Sequence, residues 1–292
     1  MKIAIYGRPF NLEVLPYVQE VFDNLAQHGV EIYVHHLLND YITDKIKAPK
    51  YAVLKSGDTI KDYIDLFLTL GGDGTLLDMV NVIRDTGIPV IGINFGRLGF
   101  LATINKNDIT AAIFAVVNGQ YTLDSRDLIS INSETEVFGD DNFALNDITI
   151  HKRDDAAMII TRVYMDDEFL NAYWGDGIII STATGSTAYS LSCGGPIIFP
   201  QSNCIVLTPV SPHNLNVRPI VLPDSCTLSF EVESRSSNYL VSCDSRTATI
   251  DKTIRFKVCK ASFKLNLIRL NNESYLSTLR NKLLWGLDAR NY

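Results

Sequence analysis

A glycine-rich turn at residues 70–75 constrains the fold of this chain more than any other segment. An apolar run at 65–70 has the length of a buried strand, and apolar residues recur at helical spacing after the turn. Gly71, Gly72 and Gly74 allow positive φ angles and a close approach of the backbone to a ligand. The segment therefore predicts a strand-to-helix connection whose amides, at a helix N-terminus, favour an anion such as phosphate.

Asp73 interrupts these glycines and leaves two interpretations open. A carboxylate beside a phosphate would repel the ligand unless it holds a metal ion or accepts a proton. Alternatively, the segment is only a tight turn whose acid supports the helix N-terminus. The turn by itself does not decide between these interpretations.

The first 120 residues alternate predicted strands with predicted helices. The strands are expected at 3–6, 30–34, 65–70 and 88–93, and the helices at 14–25, 75–84 and 108–117. Residues 39–64 are expected to form a loop with a short helix. This order predicts an α/β domain, with a parallel sheet flanked by helices and ligands at the carboxyl ends of the strands.

The pattern changes at about residue 121, where short alternating runs separated by turn residues begin. Runs at 159–164, 228–232 and 254–258 are typical of strands in an all-β domain. After residue 270, leucines at helical spacing predict a helix that returns to the first domain. We therefore expect an α/β domain at 1–120, completed by 270–292, and a β-rich domain at 121–269.

Composition narrows the class of protein. The net charge of −7 disfavours a nucleic-acid-binding surface, and no apolar run reaches the ~20 residues of a membrane helix. The N-terminus enters a strand directly and lacks the apolar region of a signal peptide. The five cysteines form no C-x-x-C pair, which favours reduced thiols in a cytoplasmic protein.

A second segment rich in glycine and hydroxyl groups, TGSTAYSLS, occupies residues 184–192. Its amides and hydroxyls suit phosphate and sugar oxygens, and the ring of Tyr189 offers a face on which a base could stack. A Ser/Thr-rich loop beside a core tyrosine is the alternative interpretation. The chain contains no P-loop, and the turn at 70–75 lacks the third glycine of a dinucleotide-binding fingerprint.

Taken together, these segments resemble the NAD kinase family over about residues 1–285. The resembling motifs are GGDGT at 71–75, NFGRLGFL at 94–101, ND at 146–147, DG at 176–177, TAYSLS at 187–192, GGP at 194–196, PH at 212–213 and RPIVLP at 218–223. Their number and order distinguish the resemblance from a chance match to one motif.

The resemblance implies an α/β domain followed by a β-sandwich-like domain, with the substrate site between them. It implies transfer of the γ-phosphoryl group of ATP to the 2′-hydroxyl of the adenosine ribose of NAD. It also implies a divalent cation, with Mg²⁺ the expected one, and a cytoplasmic homodimer or homotetramer. The sequence contains no cluster of metal-ligand spacing, so the metal ligands stay unassigned.

The site residues follow from the matching motifs. Asp73 is expected to be the general base, and Tyr189 is expected to stack on a base of the dinucleotide. Asn146 would read a base edge, Asp147 would accept from ribose hydroxyls, and Asp176 would be a further acceptor. The full binding set expected is Gly72, Asp73, Gly74, Asn146, Asp147, Asp176, Thr184, Thr187, Ala188, Tyr189, Ser190, Leu191 and Ser192.

Some positions depart from the family pattern. Asp78, Ala157 and Trp174 stand where other members place basic or polar residues, and Ala183 replaces a common proline. Arg246 replaces a frequent glutamine and is a candidate to face a phosphate. These departures leave the choice between ATP and polyphosphate as donor open.

Three other functions compete with this interpretation. Lipid kinases of the diacylglycerol or sphingoid type share the GGDGT turn, but the TGSTAYS loop and the absence of a basic or amphipathic membrane face argue against them. A phosphofructokinase-like sugar kinase would be richer in arginine. A non-catalytic NAD(P) sensor would bind phosphate more easily without the Asp73 carboxylate.

Overall fold

A computed structural model describes residues 1–55, 57–96, 99–153, 158–271 and 274–285. Several positions of the sequence analysis lie outside the described residues. They are Arg97 and Leu98 of the NFGRLGFL motif, Ala157, which departs from the family pattern, and parts of the segment 270–292. No helix within the described ranges is long and apolar enough to cross a membrane. All five cysteines are free, as the sequence predicted.

The chain contains strands and helices in an order that changes character after residue 120. The strands are β1 (Lys2–Gly7), β2 (Glu31–His35), β3 (Ala52–Leu54), β4 (Leu66–Leu70), β5 (Val90–Asn94), β6 (Ile104–Asn105), β7 (Tyr121–Ser133), β8 (Phe143–Ala144), β9 (Asp147–Lys152), β10 (Ile159–Met165), β11 (Glu168–Gly175), β12 (Gly177–Thr182), β13 (Cys204–Val210), β14 (Ile220–Pro223), β15 (Leu228–Glu233), β16 (Asn238–Cys243), β17 (Arg246–Asp251) and β18 (Phe256–Leu270). The helices are α1 (Leu15–Gln27), α2 (His36–Ile42), α3 (Asp73–Ile83), α4 (Ile109–Val117), α5 (Tyr189–Ser192) and α6 (Tyr275–Leu283).

The chain divides into two compact units. The first comprises residues 1–125 and 265–292, and the second comprises residues 126–264. Because β7 and β18 each run past a unit boundary, each contributes residues to both units.

The first unit is the predicted α/β domain. Its strands pair in parallel in the order β3-β2-β1-β4-β5, and the end of β18 joins β5 in parallel at Leu267. Strands β4 and β5 are buried along their whole length, which explains why they appear in the sequence as continuous apolar runs. The apolar faces of α1 and α4 pack with β1, β4 and β5 in one core.

Two local features differ from the sequence predictions. Helix α3 begins at Asp73, two residues before the expected start, so the acid of the glycine turn is its first residue. The region 39–64, expected to be a loop with a short helix, contains the edge strand β3. This strand has three residues, of which two are exposed, so it lacks the apolar run that identifies a buried strand.

The second unit is all-β apart from short helical turns, which confirms the predicted class. One antiparallel sheet has the order β14-β13-β12-β9-β16-β17, and β10, β11, β15 and β18 pair antiparallel in the other. Inward residues of both sheets, such as Ile150, Ile180, Phe230 and Phe256, share one core. This is the arrangement of a β-sandwich.

Candidate active site

The glycine turn of the first unit is held in place by backbone contacts. The N–H of Gly71 donates to the carbonyl of Ile93 at 2.9 Å, which ties the turn to β5. Gly71 has a φ of +149°, and a Cβ there would lie 2.3 Å from Oγ1 of Thr75. The carbonyl of Gly72 accepts from the N–H of Thr75 at 3.0 Å and so starts α3. The backbone conformation of the turn therefore requires glycine at residue 71. The turn leads into α3, as the sequence predicted.

Asp73, the first residue of α3, is bound to a loop of the same unit. Its carboxylate accepts backbone N–H groups from Phe100 at 2.8 Å, Leu101 at 3.0 Å and Ala102 at 2.9 Å. Gly99 makes this contact possible, because a Cβ there would lie 1.9 Å from Oδ1 of Asp73. A carboxylate has about four acceptor positions, and these bonds use three, with one left on Oδ2.

A basic side chain lies beside the same turn. In the sheet, Gly7 at the end of β1 pairs with Leu70 at the end of β4, so Arg8 follows on the strand next to the turn. The guanidinium Nε of Arg8 contacts the carboxylate of Asp78 at 2.6 Å, and Asp78 is buried on α3. Burial and the Asp78 carboxylate raise the pKa of Tyr6, while Arg8 opposes that shift. Asp78, which departs from the family pattern, is thus partnered by Arg8, the residue that follows β1.

In the second unit, the segment with Asn146 is packed against the end of β12. The carbonyl of Asn146 accepts from the N–H of Thr182 at 2.9 Å, and the hydroxyl of Thr182 donates to the carbonyl of Leu145 at 2.6 Å. The same Thr182 hydroxyl accepts from the N–H of Gly185 at 3.0 Å. A Cβ on Gly185 would lie 2.0 Å from the carbonyl oxygen of Asn146. These contacts bring the ND motif and the start of the TGSTAYSLS loop together.

The TGSTAYSLS loop forms a short 3-10 helix, Thr184–Thr187, followed by α5. Some of its predicted binding groups are used inside the protein. The hydroxyl of Thr184 accepts from the buried Arg126 at 3.1 Å, and Thr187 donates to the carbonyl of Thr184 at 3.2 Å. The hydroxyl of Ser190 is buried against that of Thr208 at 2.8 Å.

The remaining side chains of that loop are more accessible. Tyr189 has 41% of its surface exposed, so the alternative of a core tyrosine is wrong. Ser192 is exposed, and Ala188 and Leu191 are half-buried.

Asp147 and Asp176 both lie close enough to Tyr189 to act on its hydroxyl. Burial raises the pKa of the Tyr189 hydroxyl, the neighbouring Cys193 adds to the shift, and the charges of Asp147 and Asp176 raise it further. The carboxylate of Asp176 contacts the ammonium group of Lys152 at 2.8 Å. The second unit therefore brings together two predicted acceptors and the predicted stacking ring.

Asp147 is an acid of the site whose pKa is strongly raised. Its residue is 8% exposed, and burial raises its pKa to about 7. The carboxylate of Asp244 adds to that shift, whereas the hydroxyl of Thr149, which donates to Oδ1 of Asp147 at 3.1 Å, opposes it. Perturbed acids of this kind concentrate at functional sites.

Sequence reasoning missed Asp244, and it did not foresee the backbone partners of Arg246. Arg246 was a candidate to face a phosphate, but its guanidinium donates to the backbone carbonyls of Asp141, Phe143 and Cys243. Asp244 was not considered, although it is half-buried and binds the backbone of residues 145–147. The turn between two strand patterns was the available signal, but it did not indicate what the acid would contact.

The described residues form no group of three or more histidine, cysteine or acidic side chains that could hold a metal ion.

Comparisons with known proteins match both units of the chain to the same family. Residues 3–121 match the model of the ATP-NAD kinase N-terminal domain, and residues 145–270 match that of the ATP-NAD kinase C-terminal domain. The chain is 45% identical to an NAD kinase of Cytophaga hutchinsonii and 42% identical to one of Flavobacterium psychrophilum, with 100% of each chain covered in both cases.

Two solved structures share the fold. Yeast NADH kinase complexed with NADH superposes with a TM-score of 0.88 at 23% identity, covering 100% of this chain and 89% of that one. An NAD kinase from Archaeoglobus fulgidus in complex with ATP gives a TM-score of 0.74 at 21% identity, covering 96% of this chain and 99% of that one.

Proposed function

Because the chain belongs to the NAD kinase family, we propose that it transfers the γ-phosphoryl group of ATP to the 2′-hydroxyl of the adenosine ribose of NAD. The products are NADP and ADP. The observation that carries this proposal is the full-length similarity to NAD kinases, at up to 45% identity, in a chain that has an acid in its GGDGT turn.

We assign the phosphates to the first unit and the dinucleotide to the second. The glycine turn supports the first assignment, because Gly72 and Gly74 leave the backbone at the start of α3 open to an anion. The cluster of Asp147, Asp176 and Tyr189 supports the second. In this division, residues 1–120 with 270–292 bind nucleotide phosphates and residues 121–269 bind NAD.

Asp73 is the proposed general base. The 2′-oxygen forms a bond to the γ-phosphorus, the bond from that phosphorus to the ADP oxygen breaks, and the hydroxyl proton moves to Asp73. Such transfers have a loose transition state, so orientation of the hydroxyl matters more than early removal of its proton. The acceptor position left on Oδ2 of Asp73 supports this role, since the loop at 100–102 already fixes the carboxylate.

The second unit would bind NAD through side chains of different kinds. The Asn146 amide would read a base edge, the Asp147 carboxylate would accept from ribose hydroxyls, and the exposed ring of Tyr189 would stack on a base. Asp176 would give up its contact with Lys152 and become a further acceptor for NAD. The remaining proposed residues would contact NAD through backbone groups or exposed side chains. They are Thr184, Thr187, Ala188, Ser190, Leu191 and Ser192.

We also propose Mg²⁺ as the cation, held mainly by the phosphate oxygens of ATP. The donor set fits this arrangement, because no three-ligand cluster occurs in the described part of the chain. When bound, the cation would neutralise charge on the transferring phosphoryl group. The free cysteines support a cytoplasmic location. The family resemblance alone supports a homodimer or homotetramer.

One assay separates this function from its competitors. Purified protein is incubated with Mg²⁺, ATP and either NAD, diacylglycerol or fructose 6-phosphate, and NADP, phosphatidic acid and fructose bisphosphate are measured. We expect NADP only. A phosphorylated lipid or sugar would support the other kinases, and NAD binding without any phosphorylated product would support a sensor.

A further inference from the structure

The turn between β16 and β17, residues 243–246, holds the backbone that carries the ND motif. The carboxylate of Asp244 accepts three successive N–H groups, from Leu145 at 2.8 Å, Asn146 at 2.9 Å and Asp147 at 3.1 Å. In return, the N–H of Asp244 donates to the carbonyl of Asp147 at 3.0 Å. Asp244 adopts a φ of +50°, which is uncommon for a residue with a side chain.

The same turn also binds the chain just before that segment. Arg246 donates to the backbone carbonyls of Asp141 and Phe143 and to Cys243 within its own turn. Residues 141–147 are thus bound at both ends by side chains from one hairpin, and Arg246 lies near enough to Asp244 to stabilise its charge. Charge-assisted bonds of this kind are stronger than bonds between neutral groups.

We propose that Asp244 is a positioning residue for NAD binding, because its carboxylate and N–H fix the backbone of Asn146 and Asp147. This inference rests on the proposed function, in which Asp147 accepts from ribose hydroxyls. In this role Asp244 acts through Asn146 and Asp147 and not by contact with substrate.

The groups that face Asp147 provide a second readout for this positioning, because Asp244 is one of them. They are Asp244 and Cys243 from the hairpin, Thr149 from β9, and Tyr189 and Cys193 from the region of α5. Burial raises the pKa of Asp147 to about 7, and Asp244 is the next cause of that shift. Burial also raises the pKa of Asp244, while its three N–H partners and Arg246 favour its charged form.

Two consequences follow for catalysis. The kcat/KM for NAD should fall as the pH drops through about 7, because Asp147 then takes up a proton and accepts ribose hydroxyls less well. The position of that fall should depend on Asp244. If Asp244 only capped its turn, replacing it would change the stability of the protein and would not move the pH at which kcat/KM for NAD falls.

The test is Asp244→Asn, with Asp251→Asn as the matched control. Asp251 lies in the same hairpin and also accepts the N–H and hydroxyl of a turn residue, Thr253, but it is exposed and is not among the groups facing Asp147. We expect Asp244→Asn to move the acid limb of kcat/KM for NAD down by about one pH unit. Well above neutral pH, its KM for NAD should rise about fivefold or more, because an amide cannot accept all three N–H groups. Asp251→Asn should change neither quantity.

A second variant covers failure of Asp244→Asn to fold. Thr149→Val removes the hydroxyl that opposes the shift of Asp147 and keeps the side-chain shape, so the acid limb should move up. An acid limb that stays in place in Thr149→Val, or in a folded Asp244→Asn, would overturn the inference. If the wild-type protein makes no NADP at all, the proposed function fails and this inference fails with it, whereas NADP formation with an unmoved limb contradicts the inference alone.

Discussion

The carboxylate of Asp73 occupies the space that a side chain on Gly99 would take, since a Cβ at Gly99 would lie 1.9 Å from Oδ1 of Asp73. The proposed base and the loop at 99–102 are therefore built as one structure. The hydrogen bonds from Phe100, Leu101 and Ala102 hold the carboxylate at the first turn of α3. Catalysis by Asp73 should then depend on a residue that never touches substrate.

Gly99→Ala tests that dependence. The added methyl group must displace either the loop or the Asp73 carboxylate, and a displacement of about 1 Å at a reacting group costs about 10²-fold in rate. We expect kcat to fall by about that factor although Asp73 is retained. Gly96→Ala is the matched control, because its Cβ would have only an ordinary contact, 3.7 Å from Oδ1 of Asn94. Equal kcat values in the two variants would show that the loop does not position Asp73.

The exposed ring of Tyr189 should contribute to NAD affinity by stacking. Stacking of a base on an aromatic ring is worth about 1–3 kcal/mol, so Tyr189→Ala should raise the KM for NAD at least several-fold and affect the KM for ATP less. Tyr189→Phe keeps the ring and removes only the hydroxyl, and its KM for NAD should stay close to that of the wild type. An unchanged KM for NAD in Tyr189→Ala would rule out stacking.

Asp147 should act in binding and not in the chemical step. Asp147→Ala leaves the ribose hydroxyls of bound NAD without their acceptor, which should weaken NAD binding by about 1–3 kcal/mol. Calorimetry gives the NAD affinity, and initial rates at saturating NAD give kcat. A collapse of kcat with unchanged affinity would contradict the assignment.

Asp147 should also make the stability of the protein depend on pH. Because folding raises the pKa of this carboxyl from 3.8 to about 7, the folded protein holds the proton more tightly than the unfolded chain does. The contribution of Asp147 to the free energy of unfolding is then fully present below about pH 4 and is lost as the pH rises through about 7.

The variant Asp147→Asn cannot ionise and should escape this loss. It should be more stable than the wild type above pH 7, by a few kcal/mol at most, since each pH unit of the window corresponds to about 1.4 kcal/mol. The two proteins should converge near pH 4. Denaturant unfolding at several pH values measures the difference, and a variant that is less stable at every pH would contradict the shifted pKa.

The sequence predicted those features whose cause is local. Strand β4 and the glycine turn were recognisable because the apolar run and the glycines are adjacent in the chain. The edge strand β3 was not predicted, because two of its three residues face solvent. The NFGRLGFL motif was found by resemblance, but its N–H contacts with Asp73 join residues 27 and 28 positions apart, which no local pattern reveals.

The contacts of Asp244 were even less accessible to prediction from local sequence. It lies 97 to 99 positions from the amides it binds, and a single acid between two strands is ordinary turn chemistry in a sequence. Arg246 was a candidate to face a phosphate, but it donates to the carbonyls of Asp141 and Phe143, which are more than 100 positions away in the chain. Local patterns and the family resemblance therefore identified the glycine-rich and motif segments, while the residues that hold these segments in place required the fold.

The most direct measurement is NADP formed per ADP released, compared between the wild type and Asp73→Asn. The wild type, with Mg²⁺, ATP and NAD, should produce NADP and ADP in equal amounts. Asp73→Asn cannot accept the hydroxyl proton, so its kcat should fall by about 10²–10⁴-fold. The loss in Gly99→Ala gives the part of that fall that comes from a disturbed loop, and Asp73→Asn should lose clearly more. ADP release without NADP in the wild type would contradict NAD kinase activity, and an Asp73→Asn variant within tenfold of the wild type would contradict Asp73 as the base.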